Sequence, residues 1–349
     1  MERQGPLYMM VWRATRVCNY NCAYCSFASN PSVSGEVDTE GGKRIVDEVY
    51  DFGGRWFGIS GGEALMRDDL FDIIAHARDI GLNVSLIANG HFVKGETLDK
   101  LVKYEVHTAV SVDGTEETND ALRGEGAYAK AVSAMEKLSQ HDLLACLVTT
   151  LTNTNYKEVD HVVDLANKYN AGRTVFHNYI PVGRAQEHLE LAPSPEQYDW
   201  VWNRIYDLLI ENRGDTDVNV YCPFFARVAK QRGMPGFQDW YKNTFLGRCF
   251  MAGGYLGIVE NGDVRRCGFH EDYRLGNIRD KSLKEFWDEL QHSELTRKLR
   301  DKDNLKGKCG VCEYREICGG CRTRAEIYTG DLFESDPACS YIPKQLREN

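Results

Sequence analysis

Residues 18–25 read CNYNCAYC, which spaces three cysteines as Cys18-x3-Cys22-x2-Cys25. A structural zinc clip wants two pairs of ligands. Three thiolates suit an iron–sulfur cubane instead, holding three irons and leaving the fourth open to a substrate or cofactor. A redox loop or a zinc loop competes on the spacing alone. Seven of the twelve cysteines lie at or after Cys249: Cys249, Cys267, Cys309-x2-Cys312-x5-Cys318-x2-Cys321 and Cys339. Thiols this dense in a long chain read as metal or cluster ligands rather than a disulfide scaffold. Cys146, in the apolar run LLACLVTTL, reads as a structural core thiol. Cys222, in VYCPFF, stands alone ahead of the C-terminal series.

The first 180 or so residues alternate strand-like and helix-like segments and so supply the scaffold for these thiols. YMMVWRAT, WFGIS (56–60), NVSLIAN (83–89), HTAVSVDG (107–114), LLACLVTTL (143–151) and RTVFHNYI (173–180) read as strands. Helical patterns run from Asp38-Thr39 to Phe52, over 68–81 and near 97–104, 127–141 and 156–169. Six β-α units imply parallel strands joined by right-handed crossovers. Either a doubly wound sheet or a partial six-unit barrel satisfies that pattern, and both gather function at the C-terminal strand ends. The expected domains are 1–193 for the β/α core, 194–244 for a helical connection and 245–349 for a small, glycine-rich domain held by inorganic clusters.

Composition narrows the function classes. The chain has 349 residues and a net charge of -10, which disfavours non-specific nucleic-acid binding. No run of about 18 apolar residues suggests a membrane span. The N-terminal apolar stretch is too short for a secretory signal, so a cytoplasmic location is expected.

The cluster loop, with Tyr24 before its third cysteine, resembles the radical S-adenosylmethionine (SAM) enzymes, and the resemblance continues in order along the strands. ISGGEAL (59–65), IANG (87–90), SVDG (111–114) and NDALRG (119–124) stand where that family contacts its cofactor. The resemblance implies a partial (β/α)6 barrel, with Cys18, Cys22 and Cys25 on the cluster and SAM chelating the fourth iron. It places Gly61 and Gly62 against the methionine moiety, Glu63 at its ammonium, Ser111 and Arg123 at its carboxylate or ribose, and Tyr24 near the adenine. Asn89 and Asp113 are further candidates, although Asn-Gly and Asp-Gly are also ordinary turns.

The C-terminal cysteines resemble a SPASM extension with two auxiliary iron–sulfur clusters, making three clusters in all. That resemblance implies an outer cluster on Cys309, Cys312, Cys318 and Cys339, and an inner one on Cys249, Cys267 and Cys321. Cys222 or an open iron completes the inner set. Two departures from the usual pattern stand out. The third block closes with x2 (CGGC), and Gly268 follows Cys267 where sulfatase-maturing members have a catalytic aspartate. Glycine is no base, so sulfatase maturation is disfavoured.

CEYREICGGCRTRAEIYTGDLFESDPAC (312–339), PVGRA (181–185) and CFMAGG (249–254) resemble the haem-biosynthesis subgroup. The implied reaction is oxidative decarboxylation of tetrapyrrole propionates, with the auxiliary clusters taking the electron released. His177, Tyr179 and Arg184 after the sixth strand, with Arg227 and His270, are the expected substrate residues, since arginines pair with carboxylates and a histidine can face iron. The alternative is a peptide maturase that crosslinks or oxidises a small precursor. No separate peptide-recognition segment precedes the loop in this sequence, which counts mildly against it. A ferredoxin or flavodoxin is the expected reducing partner. Residues 297–324 carry nine Lys/Arg against four Asp/Glu, which reads as a solvated face or as a balance to anionic clusters.

Overall fold

The computed structural model describes residues 9–29, 35–211, 214, 216–243 and 249–347. Ten strands form one sheet: β1 (Met9–Arg13), β2 (Trp56–Ser60), β3 (Asn83–Ala88), β4 (His107–Ser111), β5 (Leu144–Thr150), β6 (Arg173–His177), β7 (Asp217–Tyr221), β8 (Gly257–Ile258), β9 (Asp263–Arg265) and β10 (Arg274–Asn277). Their order is β10-β9-β8-β1-β2-β3-β4-β5-β6-β7. Each of β1 to β7 is parallel to the next.

That order decides between the two architectures. A doubly wound sheet reverses direction at an inner strand and places helices on both faces. Here β1 to β6 never reverse, so same-handed crossovers put the helices on one side and the twisted sheet curls into a partial barrel. The helices follow local rules. Thr39–Asp51 starts where the Asp38 carboxylate accepts from the Gly41 N–H at 2.8 Å, and it buries Ile45, Val46 and Val49. Leu70–Asp79 falls within the expected 68–81 segment, and Gly81 follows it at φ +93°.

Three features escape the sequence pattern. Glu116–Arg123 is a helix over the NDALRG segment, β7 adds a seventh parallel strand, and β8 joins β1. The last pairing sets Val11 against Gly257 and Trp12 against Ile258, so the C-terminal region continues the barrel sheet. Strands of two and three residues are too short to show a period. Gly262, at φ +86°, turns the chain between β8 and the antiparallel β9.

A buried ion pair ties the C-terminal region to the barrel. Arg324 donates through Nε and Nη2 to the two oxygens of Asp336, both at 2.8 Å, with side chains 2% and 0% exposed. The same guanidinium lies 5.3 Å from the Tyr198 ring centre and 5.1 Å from that of Phe224, and its Nη1 donates to the Tyr179 carbonyl at 3.4 Å. No helix among the described residues is long and apolar enough to cross a membrane.

Breaking one side of a buried pair strands the other charge. Asp336→Asn is expected to lower unfolding stability by about 3–5 kcal/mol in denaturant titrations, and the Arg324→Met/Asp336→Asn double variant, which keeps an acceptor for the Cys321 and Ala338 N–H groups, to recover part of that loss. A single variant as stable as the parent would refute the role given to the pair.

Candidate active site

The cluster loop is an extension of the sheet. Beyond β1 and β2 the ladder continues from Ala14 N–H to Ser60 O at 2.8 Å, Gly62 N–H to Thr15 O at 2.7 Å and Glu63 N–H to Val17 O at 2.8 Å. This explains the two glycines. A Cβ on Gly62 would stand 2.3 Å from Val17 O and 2.7 Å from Arg16 O, and one on Gly61 2.8 Å from Thr15 O. The close approach at these glycines is made by the chain's own backbone as it enters the loop at Cys18.

Glu63 is buried and accepts from Leu65 N–H at 3.2 Å and Asn89 N–H at 2.7 Å. Burial, only partly offset by those two bonds and by the Arg123 charge, pushes its carboxyl up to about 7. Asn89 donates from Nδ2 to Asn19 Oδ1 at 2.8 Å and accepts at Oδ1 from His91 N–H at 2.9 Å. The end of β3 therefore grips the loop between Cys18 and Cys22. From the far side, the Arg184 N–H donates to Cys25 O at 2.9 Å, its Nη1 to Cys22 O at 2.9 Å and its Nη2 to Ser29 O at 2.6 Å. The three loop cysteines are half-buried. Burial pushes the Cys18 thiol up to about 11 and raises that of Cys22, while the Arg123 charge pulls Cys22 back.

Asp113 is the hub of the next strand end. Fully buried, it accepts from the Tyr24 hydroxyl, from Arg123 Nε at 2.6 Å and from Thr150 N–H at 2.9 Å. Its own N–H donates to Asn119 Oδ1 at 3.0 Å. The Arg123 guanidinium sits 5.6 Å from the Tyr24 ring centre. Gly90, at φ +87°, and Gly114, at φ +114°, fit the turn reading of IANG and SVDG. Ser111 closes β4 nearby and is half-buried.

The C-terminal thiols sort into two groups. Cys249, Cys267 and Cys321 line one cavity, partly open to solvent, together with His177, Tyr221 and Phe269. Cys267 Sγ lies 3.4 Å from Thr323 Oγ1. Cys309, Cys312, Cys318 and Cys339 are one another's electrostatic neighbours instead. Gly319 and Gly320, at φ +68° and +67°, split Cys318 from Cys321 between the groups. Burial pushes Cys267 up to about 11 and raises Cys318 and Cys321 further. Thiols so desolvated ionise only beside a strong cationic partner, and the irons of a cluster are such partners. Three thiols around a cavity, and four gathered together, fit iron–sulfur clusters. No group of three or more His, Cys, Asp or Glu side chains among the described residues is drawn around a single metal ion.

Several expected site residues sit elsewhere. Cys222 is fully buried behind the cavity wall, beside Arg324 and hydrogen-bonded with Asn178, and burial pushes its thiol up to about 12. Tyr179 is buried and donates its hydroxyl to Ala185 O at 2.9 Å and His188 O at 2.6 Å, so it braces a turn. The Arg184 guanidinium is committed to the cluster loop. Arg227 donates to Asp199 Oδ1 at 2.9 Å and its charge acts on Cys339 and Cys318, away from the cavity. His270 lies 2.8 Å from Glu326. His177 is where it was expected, at the C-terminal end of β6 and in the cavity wall, stacked on Tyr221 with ring centres 4.5 Å apart. Burial holds its imidazole down near 4, so it is neutral at pH 7. Cys146 lies in β5 with Sγ 3.2 Å from Leu147 O, as a core thiol should. Arg184's part was not legible in sequence, because its partners are backbone carbonyls some 155 to 162 positions away.

Two outcomes follow from this geometry. Gly62→Ala would force a Cβ onto two backbone carbonyls, so a loss of about 1–3 kcal/mol and a large drop in iron bound by the loop are expected, read by thermal melting and iron assay. Glu63, raised from 4.5 to about 7, keeps its proton in the folded chain where the unfolded chain has lost it. Stability of the ligand-free chain should therefore fall as pH rises from about 4.5 to 7, by at most about 3 kcal/mol. Glu63→Gln should flatten that slope in denaturant titrations, and a slope unchanged by the substitution would show that Glu63 is already ionised when folded.

Known proteins resemble this chain over nearly its full length. Residues 12–166 match the Radical SAM superfamily, and residues 249–322 match SPASM, an iron-sulfur cluster-binding domain. An AdoMet-dependent heme synthase of Methanosarcina barkeri is 34% identical over 345 residues, covering 96% of this chain and 97% of the relative. Mycofactocin maturase MftC of Mycolicibacterium smegmatis is 31% identical, over 95% of this chain and 82% of its own. Among solved structures, Streptococcus suis SuiB bound to S-adenosylmethionine superposes with a TM-score of 0.74 at 17% identity, over 97% of this chain and 78% of that one. Sequence match, fold and thiol geometry agree: the chain belongs to the radical SAM superfamily and is a radical SAM enzyme with a C-terminal SPASM iron–sulfur domain.

Proposed function

We propose that the enzyme oxidatively modifies a tetrapyrrole, by decarboxylating propionate side chains of an iron porphyrin. The observation that carries this reading is the end-to-end match, 97% of the relative's length, to an AdoMet-dependent heme synthase. In this reading Cys18, Cys22 and Cys25 hold the radical cluster, Cys309, Cys312, Cys318 and Cys339 the outer auxiliary cluster, and Cys249, Cys267 and Cys321 the inner one. SAM held beside these three loop thiolates would supply the hydrogen-abstraction chemistry that the reaction needs.

The chain's own residues do the rest. Glu63 accepts from the ammonium of SAM, which would draw its raised carboxyl back toward the ionised form. Arg123, anchored by Asp113, keeps a positive charge facing Cys22 and Glu63. Tyr24 is held by the same carboxylate and closes that side against water. His177, neutral and in the cavity wall, offers a nitrogen lone pair toward the substrate's iron. The core comprises residues 1–193, the helical connection 194–244, whose β7 extends the core sheet beside β6, and the cluster-bearing extension 245–349, and a small acidic redox protein of the ferredoxin or flavodoxin kind is the electron donor.

The 31% identity to a mycofactocin maturase supports a second reading, modification of a short peptide. The two are separated by one experiment. Anaerobically reconstituted enzyme, reduced in the presence of SAM and iron-coproporphyrin III, is expected to form 5′-deoxyadenosine and a porphyrin lighter by CO2 and two hydrogens for each propionate converted to a vinyl group, read by mass spectrometry; one hydrogen leaves in deoxyadenosine, the other as a proton, and the electron passes to an auxiliary cluster. His177→Ala should keep deoxyadenosine formation and lose at least about tenfold in porphyrin turnover, while Cys18→Ala should lose both. Deoxyadenosine without any change in the porphyrin would overturn the tetrapyrrole reading and favour the peptide.

A further inference from the structure

Four cations crowd the outer thiol group. Arg322 Nη2 lies 4.0 Å from Cys309 Sγ. Lys308 Nζ donates to the Cys339 carbonyl. Lys302 Nζ donates to Leu299 O at 3.3 Å, and it would stand 3.1 Å from a Cβ on Gly319, the residue after Cys318. The Arg227 guanidinium lies 5.0 Å from the ring centre of Tyr341, two residues beyond Cys339. The Lys302 charge acts on Cys249 first and on Cys318 second, so this half-buried ammonium stands between the two thiol groups.

The charges around the two groups are compensated differently. Arg324, beside Cys321 of the inner group, is matched by both oxygens of Asp336 at 2.8 Å. Around the outer group the cations meet mostly carbonyls. Arg322 donates to Leu332 O at 3.1 Å and Glu334 O at 2.7 Å, and Lys302 and Lys308 also donate to backbone carbonyls. Arg227 has Asp199, whose side chain is 41% exposed and so well screened by water. Two carboxylates also face the outer group, Glu313 beside Cys312 and Asp336 beside Cys339, but Glu313 is exposed and screened by water and Asp336 is matched by Arg324, so the outer group keeps the larger uncompensated positive field. Adding an electron to a cluster adds negative charge, and a nearby fixed cation favours that reduced form. Charges and hydrogen bonds around the ligands are the protein's means of setting cluster potential.

We propose that Arg227, Lys308 and Arg322 make the cluster on Cys309, Cys312, Cys318 and Cys339 the more oxidising of the two auxiliary clusters, while Lys302 raises both. Arg227 acts on Cys339 and Cys318 of the outer site, whereas Lys302 acts on both sites. The proposal rests on the reading that two auxiliary clusters are present. It assigns the basic excess of residues 297–324 an internal role, in part, as a counter-charge to the clusters.

The test uses full-length chain carrying Cys18→Ala, Cys22→Ala and Cys25→Ala, loaded anaerobically with iron and sulfide, so that only auxiliary clusters give signals. Redox titration followed by electron paramagnetic resonance gives the midpoints. Cys312→Ala identifies the outer signal and Cys267→Ala the inner one. The outer midpoint is expected above the inner. Lys302→Met and Arg227→Met should each move it to more negative potential at unchanged iron content, and Lys302→Arg and Arg227→Lys should restore it. Arg227→Met should leave the inner midpoint in place. An outer midpoint below the inner one, or one unmoved by both charge-removing variants at full iron content, overturns the proposal. Iron for a single auxiliary cluster in the starting chain overturns the two-cluster reading, and the proposal with it.

Discussion

The Arg324–Asp336 pair is the constraint on which the cluster-bearing half of the molecule depends. Asp336 does more than neutralise the guanidinium. Its Oδ2 accepts from the Cys321 N–H at 2.7 Å, its Oδ1 from the Ala338 N–H at 3.1 Å, and its carbonyl from the Cys339 N–H at 3.2 Å. One residue thus fixes the backbone of a thiol from each C-terminal group. Arg324 in turn reaches the Tyr179 carbonyl just beyond β6 and lies against Tyr198 and Phe224 of the helical connection. Burying such a pair carries a desolvation cost that good geometry and extra hydrogen bonds must offset. Here the geometry is bidentate and the remaining oxygen capacity is used by N–H groups.

At the other end of the site, backbone hydrogen bonds do the positioning. The first cluster loop is gripped by the β2 end through Gly62 and Glu63, by the β3 end through Asn89, and by Arg184 arriving from beyond β6. A parallel sheet of sequential strands brings all these ends to one rim, and that is why residues so far apart in sequence share one loop. Holding the loop by its backbone and by the Asn19 amide leaves the thiols available for iron. Residues locked by packing and hydrogen bonds hold a reactive constellation more exactly than free loops do.

The basic segment before and around the last cysteines gains meaning from the same view. Counted in sequence, its excess of Lys and Arg resembles a solvated face. In the fold, Lys302 and Arg322 turn toward thiols, while Lys298 pairs with Glu294 on the surface. Composition cannot separate these fates, since helical periodicity is short here and the burial of each side chain depends on the thiol groups it surrounds.

The sequence by itself determined the chemistry and the scaffold. Cysteine spacing is a local property, and so are the apolar periods that gave six strands and the ISGGEAL turn its place after β2. The glycines of that turn were legible as places of close approach, because backbone sterics are local, although the sequence set them against the cofactor and the fold sets them against the chain's own backbone. What the tertiary structure decided was every role that depends on a distant partner. Asp113 became the anchor of Tyr24 and Arg123, Arg184 and Tyr179 became braces, Cys222 went behind the cavity wall, and β8 to β10 joined the barrel sheet. Each outcome turns on which group meets which across the folded chain, and burial and hydrogen-bond satisfaction are properties of that meeting and not of either residue alone.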